Sequence, residues 1–311
     1  MEAQGNGLES SYINEEIEEI KDEIDQRFRQ FKKFDVIGNP PFDHNFFYTN
    51  RCSSKCSFAE KIKQEWSTLE TSLPDSIFVR AYENRIDLMR AVLIGPPETP
   101  YNHGLFFFDI LFPDGYPSRP PKVFYCSHGI DLNPLLGKEG KVYLSLLDAC
   151  WYQCCCLCRS ETWNPKKSNI LHVLESIHGQ ILNIKPYLDG TSGFSCSLYS
   201  GISKYNGNAF GLTCEAMIHV LKSPPRNFED FVAGHFRQRA HPILLAFREG
   251  AEQSECTRQL FLKLLNAFES NGAYCKHHLF WARSEEENTD DRSTNKSLVT
   301  CSNNLKKSGN L

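Results

Sequence analysis

Near the start of the chain, Ile13, Ile17, Ile20, Ile24, Phe28 and Phe31 recur at steps of three and four, while Glu15, Glu16, Glu18, Lys21, Arg27 and Arg29 fill the other faces. That spacing predicts an amphipathic helix over 13–31, packed on its own domain, solvated as a linker, or offered to a partner helix. GNPPF (38–42) stops any helix. A second helix is predicted from Ser57, which with Glu60 forms a capping-box pattern. Phe58, Ile62, Trp66, Leu69 and Leu73 make its apolar face, and Pro74 ends it. Four strand-like runs follow, at 76–83, 87–95, 104–112 and, after a proline cluster, 122–126; all are rich in β-branched and aromatic residues. A further amphipathic helix is expected from Ser168 as N-cap, with Ile170, Leu174, Ile177 and Ile181 on one face. Beyond Pro186, helical patterns recur at 208–222, 228–249 (interrupted at Pro242) and 256–270.

A helix, a meander of four strands and then more helices make an α+β order, since βαβ alternation is missing. The expected division is an amphipathic helix and linker over 1–50, a core over 51–190, a helical extension over 191–280 and a polar, disordered tail over 281–311. Composition then narrows the function. Thirty-four basic and 38 acidic residues give a net charge of −4, which argues against a nucleic-acid partner needing a basic footprint. The first dozen residues lack the basic and apolar regions of a signal peptide. The longest apolar run is far short of the ~20 residues of a membrane span. Thirteen cysteines, an odd number scattered over 311 residues, fit a reducing compartment better than a disulfide scaffold. The expectation is a soluble intracellular protein, cytoplasmic or nuclear.

Several motifs stand in a recognisable order: Lys61 and Lys63 on the second helix; Tyr101, Gly104 and Phe107; Phe112-Pro113, Tyr116-Pro117 and Pro120-Pro121; Asn133-Pro134; GKVYLSLL (140–147); Glu161, Trp163 and Pro165; and ILNIKPY (181–187). Together they resemble the ubiquitin-conjugating (E2, UBC) fold, and most closely its large subgroup that includes the plant phosphate-homeostasis E2. The stretch 205–240 fits that subgroup too, so the resemblance covers roughly 30–280. It implies a reaction in which a cysteine accepts ubiquitin from an activating enzyme as a thioester and passes it to a substrate lysine, usually with a ligase holding both. A thiol suits this because its thiolate is accessible near neutral pH. The family supplies an Asn to the oxyanion. No metal and no bound cofactor are implied; ATP is used by the activating enzyme.

Two departures decide the reading. GKVYLSLL aligned on the family's GKVCLSLL puts Tyr143 at the nucleophile position, and DLNPLL aligned on its Asn-Pro-Asn puts Leu135 at the oxyanion position. A phenol of pKa near 10 is only about 0.1% ionised at pH 7, against a few per cent for a thiol. Loss of one oxyanion donor costs roughly 10²–10³ in rate, and the two deficits need not multiply. Tyr143 reads most simply as a packed aromatic in a short extended segment.

Where the family has a short Gly-Thr-Trp turn, this chain reads DACWYQCCCLCRSETW (148–163). The run is open to four readings: an inert insertion or gene-model error, a site of palmitoylation or oxidative cross-linking, a metal site with no standard zinc spacing, or a loop carrying a displaced nucleophile. For the last, Cys150 is the fallback candidate. By resemblance, Asp189 lies near a gate residue that orients the incoming lysine, Lys61 and Lys63 on the helix that meets the activating enzyme, and Ser118 and Trp151 in loops used for ligase contact. His277-His278 with Cys275 reads as an incidental local pair. The resulting expectation is an E2 homologue with its standard active site disabled, acting by binding or scaffolding. The alternatives are a ubiquitin transferase working through a cysteine in 150–158, and a cysteine-rich metal-binding interaction module.

Overall fold

The structure, a computed structural model, describes residues 23–50, 56–133, 135–147, 162–183, 197–250 and 255–280. It contains α1 (23–29), β1 (Phe34–Ile37), α2 (Cys56–Ser72), β2 (Ile77–Tyr82), β3 (Leu88–Ile94), β4 (Leu105–Leu111), β5 (Lys122–Tyr125), α3 (Ile170–Ser176), α4 (Ser197–Lys222), α5 (Glu229–Gly250) and α6 (Glu255–Ser270). The four strands expected from the pattern form an antiparallel meander, β2 to β5 in order. A fifth strand, β1, pairs parallel to β2 at the edge. With helices against this sheet, the chain has the α+β architecture expected from the resemblance.

All seven residues of β4 are buried, because both faces of the sheet are covered. Side chains alternate across a strand. One set, including Val79, Ala91, Leu93, Phe106 and Phe108, packs into an apolar core with Ile62 and Leu69 of α2 and Ile170 and Leu174 of α3. The alternate set carries charge. Arg90, 1% exposed, makes two hydrogen bonds to Asp109 at 2.7 and 3.0 Å and three to Asp43 at 3.1 Å, two to its carboxylate and one to its backbone carbonyl. Aromatic rings close the same face: Phe231 lies 4.4 Å from Phe78, and Phe228 lies 5.4 Å from Phe107, by ring centroids. His44 sits beside the ion pair, its Nε2 2.9 Å from the Met89 carbonyl oxygen and its Nδ1 accepting from the Phe46 N–H. Burial lowers its pKa, an effect opposed by Asp109 and Asp43 and reinforced by Arg90.

Three local expectations shift. Asn169, not Ser168, caps α3: its side chain accepts from the His172 N–H at 2.8 Å, while Ser168 accepts from the Asn164 N–H. Both are good cap residues, so neighbouring positions could not be separated by type alone. The helix α2 begins by Cys56, which places Ser57 within its first turn rather than before it. Pro242 lies inside a continuous α5. A mid-helix proline costs roughly 3 kcal/mol, offset here by burial of Ile243, Leu244 and Phe247 in the turns that follow.

Two compact units divide the chain, residues 1–235 and 236–311. In the second, Phe236 meets Phe268 and Phe247 meets Phe261, with centroids 5.9 and 5.5 Å apart. The expected boundary at 190/191, the tail from 281 and most of the partner helix at 13–31 lie outside the described residues. Among the described residues no helix is long and apolar enough to cross a membrane.

Candidate functional site

The segment from Asn133 to Leu147 leaves the sheet edge as a hairpin held by backbone. Gly137 donates to the Lys141 carbonyl at 2.8 Å, and Gly140 donates back to Gly137. Gly140 has φ +87° and a Cβ there would stand 2.1 Å from the Phe124 ring, so the turn needs glycine for both space and conformation. The Gly140 carbonyl accepts from the Tyr125 N–H, which fastens the turn to β5. The hairpin then brings the Tyr143 N–H to the Leu135 carbonyl at 2.9 Å. The two positions singled out by resemblance are thus neighbours. Tyr143 is half-buried with the Lys141 ammonium 5.0 Å above its ring, and Leu135 packs against the main core.

Asn133 anchors this arrangement. Fully buried, it donates to the Tyr101 hydroxyl at 2.7 Å and to the Ile181 carbonyl at 2.9 Å, and accepts from the Leu135 N–H at 2.8 Å. Every hydrogen-bonding direction of the amide but one is used, so the loop cannot drift from the π-helical turn Ile177–Ile181, which continues α3, without leaving polar groups unpaired. A second anchor is Trp163, whose indole N–H donates to the Pro117 carbonyl at 2.7 Å while its ring packs on Tyr116. Ser118, beside it, is exposed.

On α2 the two lysines part company. Lys61 pairs with Glu65 at 3.0 Å, and Glu65, 1% exposed, accepts from the Ile170 N–H at the start of α3. A buried carboxylate there satisfies an otherwise orphan donor and favours the helix N-terminus. Lys61 is therefore engaged internally, whereas Lys63 is exposed and lines an open groove of about 460 Å³ with Lys32, Phe34 and Trp66. Glu65 was not singled out from the sequence. Its signal was a carboxylate on the apolar stripe of Ile62, Trp66 and Leu69, which marks a charge with an internal partner.

The cysteines within the described residues offer no replacement nucleophile near Tyr143. Burial pushes the thiols of Cys126 and Cys214 far above the ordinary value, with Asp109 adding to the effect at Cys126 and Glu215 at Cys214. Cys275 is pushed up to about 11 by burial and by Glu269. A thiol so shifted holds almost no thiolate at neutral pH. Cys56 and Cys256 are exposed on other elements. Cys150, Trp151 and Asp189 lie outside the described residues.

Comparison with known proteins matches this frame. The family model described as ubiquitin-conjugating enzyme fits residues 61–190. The chain is 45% identical over 230 residues to the Arabidopsis thaliana protein named ubiquitin-conjugating enzyme E2 25, covering 71% of this chain and 37% of that one. It is 41% identical over 236 residues to Arabidopsis thaliana ubiquitin-conjugating enzyme E2 38, covering 74% of this chain and 70% of that one. To the Homo sapiens dual E2 ubiquitin-conjugating enzyme/E3 ubiquitin-protein ligase BIRC6 it is 34% identical over 243 residues, 71% of this chain and 5% of that one. Against the longer Arabidopsis relatives the chain spans only about a fifth to two-fifths of their length. With one relative of similar size matched over most of both lengths, and with the sheet, hairpin and anchoring residues in place, the chain belongs to the ubiquitin-conjugating enzyme family.

Proposed function

We propose that this chain acts in a ubiquitin pathway as a binding or scaffolding E2 variant, without a thioester of its own at the family position. The observation that carries the reading is the pairing of Tyr143 with Leu135 across one backbone hydrogen bond of 2.9 Å. By resemblance these are the family's reacting and oxyanion positions, and the side chains there are a phenol and an alkyl group. Leucine has no donor for a developing oxyanion. A tyrosyl ester would also be a different intermediate from the amine-reactive thioester this chemistry uses.

Partners follow from membership: ubiquitin, an activating enzyme and a ubiquitin ligase. The exposed Lys63 beside its groove is the better candidate of the two lysines for the activating enzyme, because Lys61 is committed to Glu65. Ser118 and Trp151 are the ligase-contact candidates, and Asp189 the gate candidate should transfer occur. The rival reading keeps the enzyme: a cysteine in 150–158, with Cys150 first, forms the thioester instead. The metal-module reading of that cysteine run is the third.

Charging separates these readings. Purified chain is incubated with activating enzyme, ATP and ubiquitin, then run on non-reducing and reduced gels beside Cys150→Ser and a variant with all five loop cysteines replaced. The proposal expects no reducible adduct while a control E2 charges, together with measurable binding to ubiquitin or to the activating enzyme. A reducible adduct that disappears in either cysteine variant would establish the rival. Stoichiometric zinc that is lost when the five loop cysteines are replaced would favour the metal module.

A further inference from the structure

His241 lies on α5, and His277 and His278 lie on the short 3₁₀ turn Lys276–His278 that follows α6. The chain folds back so that one nitrogen from each ring falls within 4.8 Å of the others. His241 Nδ1 is 2.9 Å from His278 Nε2 and 3.3 Å from His277 Nε2. Tetrahedral zinc with zinc–nitrogen bonds of about 2.0–2.1 Å separates its ligand nitrogens by roughly 3.3–3.4 Å. Two of the three pairs lie within about half an ångström of that spacing, and the third lies within 4.8 Å.

Hydrogen bonding between the rings explains it less well. His241 Nδ1 carries either one proton or one lone pair, and two Nε2 atoms converge on it, so one group must serve two partners. His278 is 2% exposed, and its Nδ1 has no hydrogen-bond partner among the described residues. This buried imidazole therefore relies on Nε2 alone, the atom that faces the cluster. His241 and His277 are exposed, so the site is open to an ion from solvent.

We propose that His241, His277 and His278 form a site for a first-row divalent transition-metal ion, zinc foremost, separate from the cysteine run at 150–158. Three imidazole nitrogens suit zinc, copper, nickel or cobalt and not the oxygen-seeking calcium or magnesium. Three protein ligands leave a fourth position for solvent. Cys275 is not part of the group; its N–H is donated to Glu269. The Arg248 charge near His278 opposes a bound cation, so affinity falls below that of thiolate-rich structural sites. Occupancy would tie the turn after α6 to α5 and stabilise the C-terminal unit by mass action.

The test uses the full chain with Cys150, Cys154, Cys155, Cys156 and Cys158 all changed to Ser, which removes the thiolates of that run; the exposed Cys56 and Cys256 are changed to Ser as well. The protein is stripped with chelator, loaded with zinc chloride, desalted and measured for metal content, with cobalt(II) absorption as a second readout. One equivalent of zinc and the visible bands of tetrahedral cobalt are expected. Both should weaken by about tenfold or more in His241→Ala and in His277→Ala. These residues are exposed, and circular dichroism checks that each variant is folded. Failure of the loop-cysteine-free chain to hold zinc, or retention undiminished in folded His241→Ala, would overturn the site.

Discussion

The loop at Asn133 and the turn at Tyr143 belong to one hairpin but do different work. Asn133 is wholly buried and spends its amide on Tyr101, Ile181 and Leu135. Tyr143 and Leu135 are half-buried, and the hydrogen bond that joins them is made by backbone atoms alone. The first kind of residue is fixed by the fold, because a change leaves polar groups unpaired inside the protein. The second kind can change with little effect on the fold, because the backbone makes the same bond with any side chain. Frame and chemistry are therefore separable here. On the proposed reading the frame persists while the chemistry has gone.

That contrast can be broken at its strongest point. Arg90→Ala removes the guanidinium that serves Asp109 and Asp43 and leaves Asp109 charged in the interior; a loss of about 3–5 kcal/mol is expected in urea unfolding. A loss under 1 kcal/mol would mean the charged face is not holding the sheet. Asn133→Ala should cost less, about 1–3 kcal/mol, since its partners are neutral. Smaller still, Tyr143→Cys and Leu135→Asn should each shift stability by no more than about 1 kcal/mol, in line with half-buried positions. If either approaches the Asn133 value, the separation of frame from chemistry fails.

Acid sharpens the same contrast, with the gentlest effect. Burial lowers the pKa of His44 below its unfolded value of 6.5. Between the two values the unfolded chain binds more protons than the folded one. The contribution is then fully present above about pH 6.5 and is lost as pH falls towards the lowered value. Urea midpoints measured from pH 7.5 to 5.5 should decline, and His44→Gln should flatten that decline. An unchanged slope in the variant would remove His44 from the account.

Much of the frame was legible in the chain. The four meander strands stand out because β-branched and aromatic runs are bounded by turn residues, and each lies where expected. The edge strand β1 escaped because FDVI is four residues long, between Lys33 and GNPPF, too short for any period to show. The site was half legible. Motif order singles out Tyr143 and Leu135, which the hairpin makes neighbours, but no local spacing could say that Lys61 is occupied by Glu65 while Lys63 is exposed. His277-His278 with Cys275 reads in the sequence as an incidental pair because the cluster's third member, His241, is a whole helix away. Contacts between distant elements leave no periodic trace.

On the proposed reading, this hairpin holds the E2 geometry and lacks only its reacting groups. The most direct test of that claim is the double variant Leu135→Asn/Tyr143→Cys, incubated with activating enzyme, ATP and ubiquitin beside the unaltered chain and analysed on non-reducing gels. The account predicts a reducible ubiquitin adduct on the double variant and none on the parent. A folded double variant that never charges, or a parent that charges as well as the variant, would contradict it.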